Sequence, residues 1–301
     1  MAAKTVSIKA KEKNKAALSS VIAAIGLTAF KIVIGVLTGS LGILAEAAHS
    51  ALDLVAALMT LFAVRIADKP ADHDHTYGHG KVENLSALFE TLLLLATCIW
   101  IIYEAVKRLL NPSAFTVEVT YWSFIVMIVS IIIDISRSRV LLKTAKKYKS
   151  QALEADAIHF STDVWSSSVV IAGLTALMIS RIVPKLSFLE HADAVAALVV
   201  AAIVVWVSIR LGFSTIKALI DSAPKGSRDE IVRIVEAVPG VKNVHNIRIR
   251  TSGAYLFIDI HILVDGEKSL NDVHCITDKI EQDVHVELPE ADITVHPEPN
   301  D

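Results

Sequence analysis

The chain is predicted to be an α-helical membrane protein of six transmembrane helices followed by a small α+β cytoplasmic domain. Three observations predict this. Its 301 residues are 53% hydrophobic, with a mean hydropathy of +0.53, which is too apolar for an ordinary soluble domain. Up to roughly residue 215 the apolar residues come in runs of about 20, the length that crosses a bilayer. Beyond that point the pattern changes to short alternating stretches between helical ones. The net charge of −3 is close to balance and gives no footing for a nucleic-acid partner.

The six spans are expected over Ala17–Leu37, Leu41–Ile66, Leu85–Leu110, Tyr121–Leu142, Ala155–Ile182 and Ala192–Phe213. This divides the chain into an N-terminal tail (1–16), a membrane domain (17–214) and a C-terminal domain (215–301). Orientation follows the basic residues. Lys4, Lys9, Lys11, Lys13 and Lys15 precede the first span, and Arg139, Lys143, Lys146, Lys147 and Lys149 connect spans four and five. Six spans put both segments and the C-terminal domain on one side, which is then cytoplasmic. Lys107, Arg108, Arg181 and Lys185 reduce the contrast with the opposite loops. No small-residue cleavage site follows a short apolar core, so no removed signal peptide is expected. Cys98 and Cys275 are far apart in sequence and form neither a disulfide framework nor a CxxC metal site.

The C-terminal domain is predicted in the order αββαβ. Ser227 with Glu230 three residues on makes a capping-box pattern, opening a helix that runs to Val238 and stops at Pro239-Gly240. Val244–Thr251 and Tyr255–Val264 alternate like strands about a Ser252-Gly253 turn. Leu270–Leu288 reads as helix and Asp292–His296 as a short last strand. A three-stranded sheet with two helices on one face accommodates this order.

Three constellations carry chemistry. The first is a pattern that occurs twice inside apolar runs: Glu46-x-x-His49-x-x-x-Asp53 and Asp156-x-x-His159-x-x-x-Asp163. Each ionisable group at mid-bilayer costs about 2.5–3.5 kcal/mol or more, so a span that keeps three of them uses them. The i, i+4 spacing puts each His and its Asp on one helix face. The two spans are antiparallel, so His49 can face Asp163 while Asp53 faces His159. That N2O2 set suits tetrahedral Zn(II), with Cd(II), Fe(II) or Co(II) as alternatives. Glu46 and Asp156, one turn away, are candidates for a supporting shell or a proton path. Glu90 and Asp134 are further acids within spans, with roles left open.

The second constellation is the loop between spans two and three, where Asp72, His75 and His79 have metal-ligand spacing; His73 and Asp74 are substitutes, and a plain polar hairpin is the alternative. Lys81 is read as structural, paired with an acid such as Asp221. The third is the C-terminal set His245, His261, His274, His296 and Glu298, brought near one sheet corner by strand starts and ends. His191 and His285 have no such company and are read as ordinary.

Together these residues resemble the cation diffusion facilitator family of divalent metal transporters. The resemblance covers residues 15–299: six spans, the paired HxxxD motifs, the Gly78-His79-Gly80-Lys81 stretch and the αββαβ tail, which is metallochaperone-like. It implies a homodimeric secondary transporter that exchanges metal for protons and is not an enzyme. It also implies a transport site at His49, Asp53, His159 and Asp163 and a loop site at Asp72, His75 and His79. The implied tail site is His245, His261, His296 and Glu298, with His274 contributing across the dimer and Lys81–Asp221 as an interlocking pair. Many bacterial members have Asp where His49 stands. A His-Asp/His-Asp quartet is similar to zinc-preferring members and moves the expectation toward Zn(II), both as substrate and as regulatory ligand. A multi-pass protein of a bacterial inner membrane, with both termini cytoplasmic, is expected. Two other classes compete. A membrane metal sensor needs no ligands at mid-bilayer, and an intramembrane metalloenzyme needs an arrangement such as HExxH, which does not occur.

Overall fold

The computed structural model describes residues 2–110, 121–182 and 192–300; His191 and Lys185 lie outside the described residues. Six long helices come first: α1 (Ala2–Thr38), α2 (Leu41–Ala67), α3 (Lys81–Leu110), α4 (Tyr121–Tyr148), α5 (Gln151–Ile182) and α6 (Ala192–Leu219). They are followed by α7 (Ser227–Glu236), β1 (Asn243–Ser252), β2 (Tyr255–Asp265), α8 (Leu270–Glu287) and β3 (Ala291–Asn300). Among the described residues, α1, α2, α3 and α6 are long and apolar enough to cross a bilayer on length and composition alone. α4 and α5 are as long, with 28 and 32 residues, and carry Asp134, Arg137, Asp156, His159 and Asp163.

The helices pair as α1 with α2, α3 with α6 and α4 with α5, and α5 also packs on α3 and α6. Ser40 starts α2 by accepting the Ile43 N–H on its side chain, after Gly39 turns the chain with φ 64°. Large apolar side chains such as Ile22, Val36, Leu52, Leu92, Trp100, Ile132 and Trp206 face outward, the inverse of a soluble bundle and suited to lipid contact. One end of the bundle is packed through small residues: Ala16, Ala17, Ala57, Ala145, Ala152 and Ala157 join Leu153 and Phe160 in a single cluster. Small side chains let backbones approach closely where no solvent drives helices together.

Several helices extend past their predicted ends: α3 starts at Lys81 instead of Leu85, α5 at Gln151 instead of Ala155, and α6 runs to Leu219 instead of Phe213. The N-terminal tail is helical from Ala2, and the basic stretch between spans four and five is the last part of α4, so the connection to α5 shrinks to Lys149-Ser150. Hydropathy reports where the chain leaves the bilayer, not where the helix stops, and Lys and Arg are good helix formers. Ser150 Oγ accepts the Leu153 N–H at 3.4 Å and starts α5. A polar knot closes this end of the bundle. Lys13 Nζ sits between Asp68 and Glu83, 2.9 Å from Glu83 Oε1. Ser150 Oγ donates to Glu83 Oε2 at 2.5 Å, and Asn84 Nδ2 donates to Gln151 Oε1 at 2.8 Å.

The C-terminal domain is a three-stranded sheet in the order β1-β2-β3. β1 and β2 are antiparallel about Gly253, and α8 carries the chain over to β3, which is parallel to β2. Ile231, Ile234 and Val235 of α7 and Ile276, Ile280 and Val284 of α8 bury against Ile249, Ile258, Ile260 and Ile262. The predicted capping box does not form. Gly226, with φ 82°, occupies the N-cap position, and Ser227 is already helical, its Oγ donating to Pro224 O at 2.8 Å. α7 stops at Glu236, two residues before the predicted end. β3 runs to Asn300 instead of His296; it pairs only with β2, and an edge strand accepts Pro297 and Pro299.

Contacts from three bundle residues hold the domain against the bundle. Lys9 Nζ lies 3.1 Å from Glu290 Oε2. Gly80 abuts the backbone of Ser252 and Gly253. The Tyr77 ring takes the Arg250 guanidinium at 3.6 Å and meets Phe257 edge-on.

Candidate metal sites

The two HxxxD motifs face each other across α2 and α5. His159 Nε2 lies 3.2 Å from Asp53 Oδ1 and 3.6 Å from Asp163 Oδ2, and His49 Nε2 lies 3.9 Å from Asp53 Oδ1 and 4.0 Å from Asp163 Oδ1. A tetrahedral ion with bonds of about 2.0–2.1 Å holds its donors about 3.3 Å apart. Asp53, His159 and Asp163 are already spaced for that, and one ligand atom from each lies within 4.8 Å of the others. His49 stands slightly wide. A cavity of about 230 Å³ opens onto the site, lined by His49, His159, Asp163, Cys98, Thr97 and Val204 among others.

The groups around this quartet divide into two sets. On α1, Lys31 is buried and donates to Ser50 Oγ at 2.8 Å, with Glu46 Oε2 at 3.3 Å; Glu46 is thus paired away from the quartet. Asp156 is fully buried and accepts from Ser20 Oγ at 3.3 Å. Arg137 donates to Ser20 Oγ at 3.1 Å and to Asp134 Oδ1 at 3.3 Å, its guanidinium over the Phe160 ring. Glu90, also fully buried, accepts from Thr60 Oγ1. Sequence reasoning missed Lys31 and Arg137, although the signal that singled out the acids, an ionisable residue in an apolar stretch, applies equally to both. It also passed over Cys98, whose place on the cavity wall has no sequence signature.

The loop brings Asp72, His75 and His79 together. Asp72 Oδ1 accepts the His75 backbone N–H at 2.7 Å and lies 3.1 Å from His75 Nδ1, while Oδ2 lies 3.4 Å from His79 Nε2. The two imidazole rings are 4.3 Å apart. The His75 backbone N–H, with its imidazole, holds the Asp72 carboxyl below its ordinary value. His73 and Asp74 point to solvent and pair with each other at 3.4 Å.

In the C-terminal sheet His245, His261 and His296 are direct cross-strand neighbours on β1, β2 and β3. Glu298 reaches back with Oε2 3.0 Å from His245 Nε2 and Oε1 2.8 Å from His261 Nδ1. His296 Nε2 is 3.7 Å from Glu298 at the rim. The His261 contact, ahead of that with His245, holds the Glu298 carboxyl below its ordinary value. Asn246, at φ 48° in the irregularity of β1, places Nδ2 3.0 Å from His261 Nε2. His274 does not join the group within this chain: it is exposed on α8, 3.6 Å from Asp278. His285 lines a separate cleft with Asp278 and Asp292. Lys81 Nζ donates to Asp221 Oδ1 at 2.8 Å, the pairing that the family resemblance implied.

The bundle thus carries converging His and Asp side chains in its apolar interior, and the attached sheet carries a second His and Glu cluster. The model for the cation efflux transmembrane domain matches residues 17–220, and that for the cation efflux protein cytoplasmic domain matches 223–300. The chain belongs to this cation efflux family, the cation diffusion facilitators: secondary transporters of divalent cations, and not enzymes. It is 32% identical over 286 residues to the cation-efflux pump FieF of Yersinia enterocolitica, covering 94% of this chain and 92% of that protein. It is 31% identical over 292 residues to the FieF of Salmonella agona, covering 95% and 92%. A solved nickel form of the MamM C-terminal domain is 25% identical with a TM-score of 0.25, over 26% of this chain and 100% of that one.

Proposed function

We propose that this protein exports Zn(II) from the cytoplasm in exchange for protons, with His49, Asp53, His159 and Asp163 as the transport site. The observation that carries the reading is the convergence of Asp53, His159 and Asp163 from two helices inside an apolar bundle, beside a cavity. Asp53 and Asp163 supply the negative charge that offsets a dication in lipid. His49 and His159 supply nitrogen donors and bind metal only when neutral, so metal and protons compete for the same atoms. His49, half exposed and widest of the four, is the ligand that swings in as metal arrives. A conformational change moves the loaded site from one face of the membrane to the other, driven by whichever state binds its ligand better.

The assembly is a homodimer in a bacterial inner membrane, with residues 17–214 in the bilayer and residues 1–16 and 215–301 cytoplasmic. Asp72, His75 and His79 form a loop site. His245, His261, His296 and Glu298, with His274 reaching across the dimer, form a tail site that binds cytoplasmic Zn(II) and biases the transport equilibrium. The test is Zn(II) uptake by proteoliposomes under an imposed pH gradient. Flux that follows the gradient and vanishes in Asp163→Ala supports the reading; normal flux in Asp163→Ala overturns the quartet. A second reading, Cd(II) as main substrate, is favoured by one observation: the Cys98 thiol, a soft donor, lines the cavity. Competition among Zn(II), Cd(II), Fe(II) and Co(II) in the same vesicles decides it.

A further inference from the structure

Behind the transport site, three buried polar atoms lack hydrogen-bond partners. These are His159 Nδ1 on α5, Asp156 Oδ1 one turn before it, and Glu90 Oε2 on α3. Glu90 and Asp156 are fully enclosed and His159 nearly so. Glu90 feels the charge of both Asp156 and His159, and Asp156 feels that of His159, so the three are neighbours. The remaining oxygen of each acid is anchored elsewhere: Thr60 on α2 donates to Glu90 Oε1 and Ser20 on α1 donates to Asp156 Oδ2.

Buried polar groups in folded proteins are partnered, and an exception calls for a reason. The imidazole supplies it. His159 turns Nε2 toward Asp53 and Asp163, so a cation there takes the Nε2 lone pair and leaves the proton on Nδ1. A ligating histidine almost always donates that second N–H to a carboxylate, a carbonyl or water, which fixes ring orientation and strengthens the ligand. Glu90 Oε2 and Asp156 Oδ1 are buried acceptors with no hydrogen-bond partner, on carboxylates within electrostatic reach of His159. A small buried water with two or three polar partners is well held.

We propose that Glu90, with Asp156 beside it, is the positioning carboxylate for His159. It accepts the Nδ1–H directly or through one buried water and keeps Nε2 aimed at the cation. The inference rests on the transport-site reading. It gives Glu90, which lies on neither HxxxD helix, a role in cation affinity without contact to the cation.

The experiment uses the full chain in proteoliposomes, with Zn(II) as probe, and compares the unmodified protein with Glu90→Met and Glu90→Gln. Met has similar length and removes a buried acid, so a bundle that needs only packing at this position tolerates it. The expected result is a KM for Zn(II) flux raised about 10- to 100-fold in Glu90→Met, with a melting temperature equal to or above that of the unmodified chain. Glu90→Gln, whose amide oxygen still accepts, recovers most of the affinity. An unchanged KM in Glu90→Met overturns the proposal. So does a lowered melting temperature or loss of fold in that variant, which assigns Glu90 to bundle support. A Glu90→Gln as impaired as Glu90→Met overturns it too, because charge and not acceptance then matters. Absence of Zn(II) flux in the unmodified chain refutes the transport reading, and this inference with it.

Discussion

Replacing Gly80 by alanine is expected to loosen the C-terminal domain from the membrane bundle. Gly80 precedes α3, its carbonyl accepts the Glu83 N–H at 3.2 Å, and its α-carbon faces the β1–β2 turn. A Cβ there would lie 2.3 Å from Ser252 O, 2.5 Å from Ser252 C and 2.9 Å from Gly253 N. All three are backbone atoms, so no rotamer change relieves them. Ordinary contact begins near 3.4 Å, so the turn must retreat by about 1 Å, and close-packed interiors transmit such a shift instead of absorbing it. Overpacking of this kind costs about 1–3 kcal/mol. At tenfold per 1.4 kcal/mol, that is about 5- to 150-fold in the docking equilibrium. Retreat also pulls Arg250 from the Tyr77 ring, and Tyr77 lies between the loop ligands His75 and His79. Hydrogen exchange of the Ser252–Tyr255 amides in the full detergent-solubilised chain reads the effect directly. Gly26→Ala, where an added Cβ meets nothing within 4 Å, is the control and should leave those amides unchanged. If Gly80→Ala exchanges at the unmodified rate while remaining folded, the close approach at this contact is not what holds the domain.

Two further perturbations test other parts of the structure. Lys13→Met leaves Asp68 and Glu83 facing each other without their shared cation; breaking a buried pair on one side costs about 3–5 kcal/mol, so a large drop in melting temperature is expected, and restoration by Lys13→Met with Glu83→Gln would confirm the cause. In the tail, Glu298 has its carboxyl held below the ordinary 4.5 by His261. A depressed carboxyl contributes stability that is present above its unfolded value and is lost as pH falls through its folded value. Calorimetry of the full chain should therefore show the advantage of the unmodified protein over Glu298→Gln disappearing as pH falls below 4.5.

The convergence of the two HxxxD motifs was legible in the sequence because two independent constraints coincide on it. Lipid makes His49, Asp53, His159 and Asp163 conspicuous, and helical periodicity then places each pair on one face. The histidine cluster of the tail was legible for another reason. Strand starts and ends were expected to bring His245, His261 and His296 to one sheet corner, and cross-strand register makes them neighbours. Where only one constraint acted, the reading faltered. Hydropathy alone placed the ends of α1 and α4, and both helices run on past the bilayer. A capping-box pattern alone placed Ser227, and Gly226 took the position because the chain leaves Pro224 in a left-handed turn that glycine adopts without strain. Glu90 was noticed but left without a role because its partners lie on α2 and α5, and no local spacing encodes which atoms of three helices meet. Its two unlike surroundings, a threonine anchor on one oxygen and an unpartnered second oxygen, exist only once α3 is packed against both HxxxD helices. The ligands proposed for the cation are written in the local sequence, whereas the group proposed to aim one of them is written in the packing.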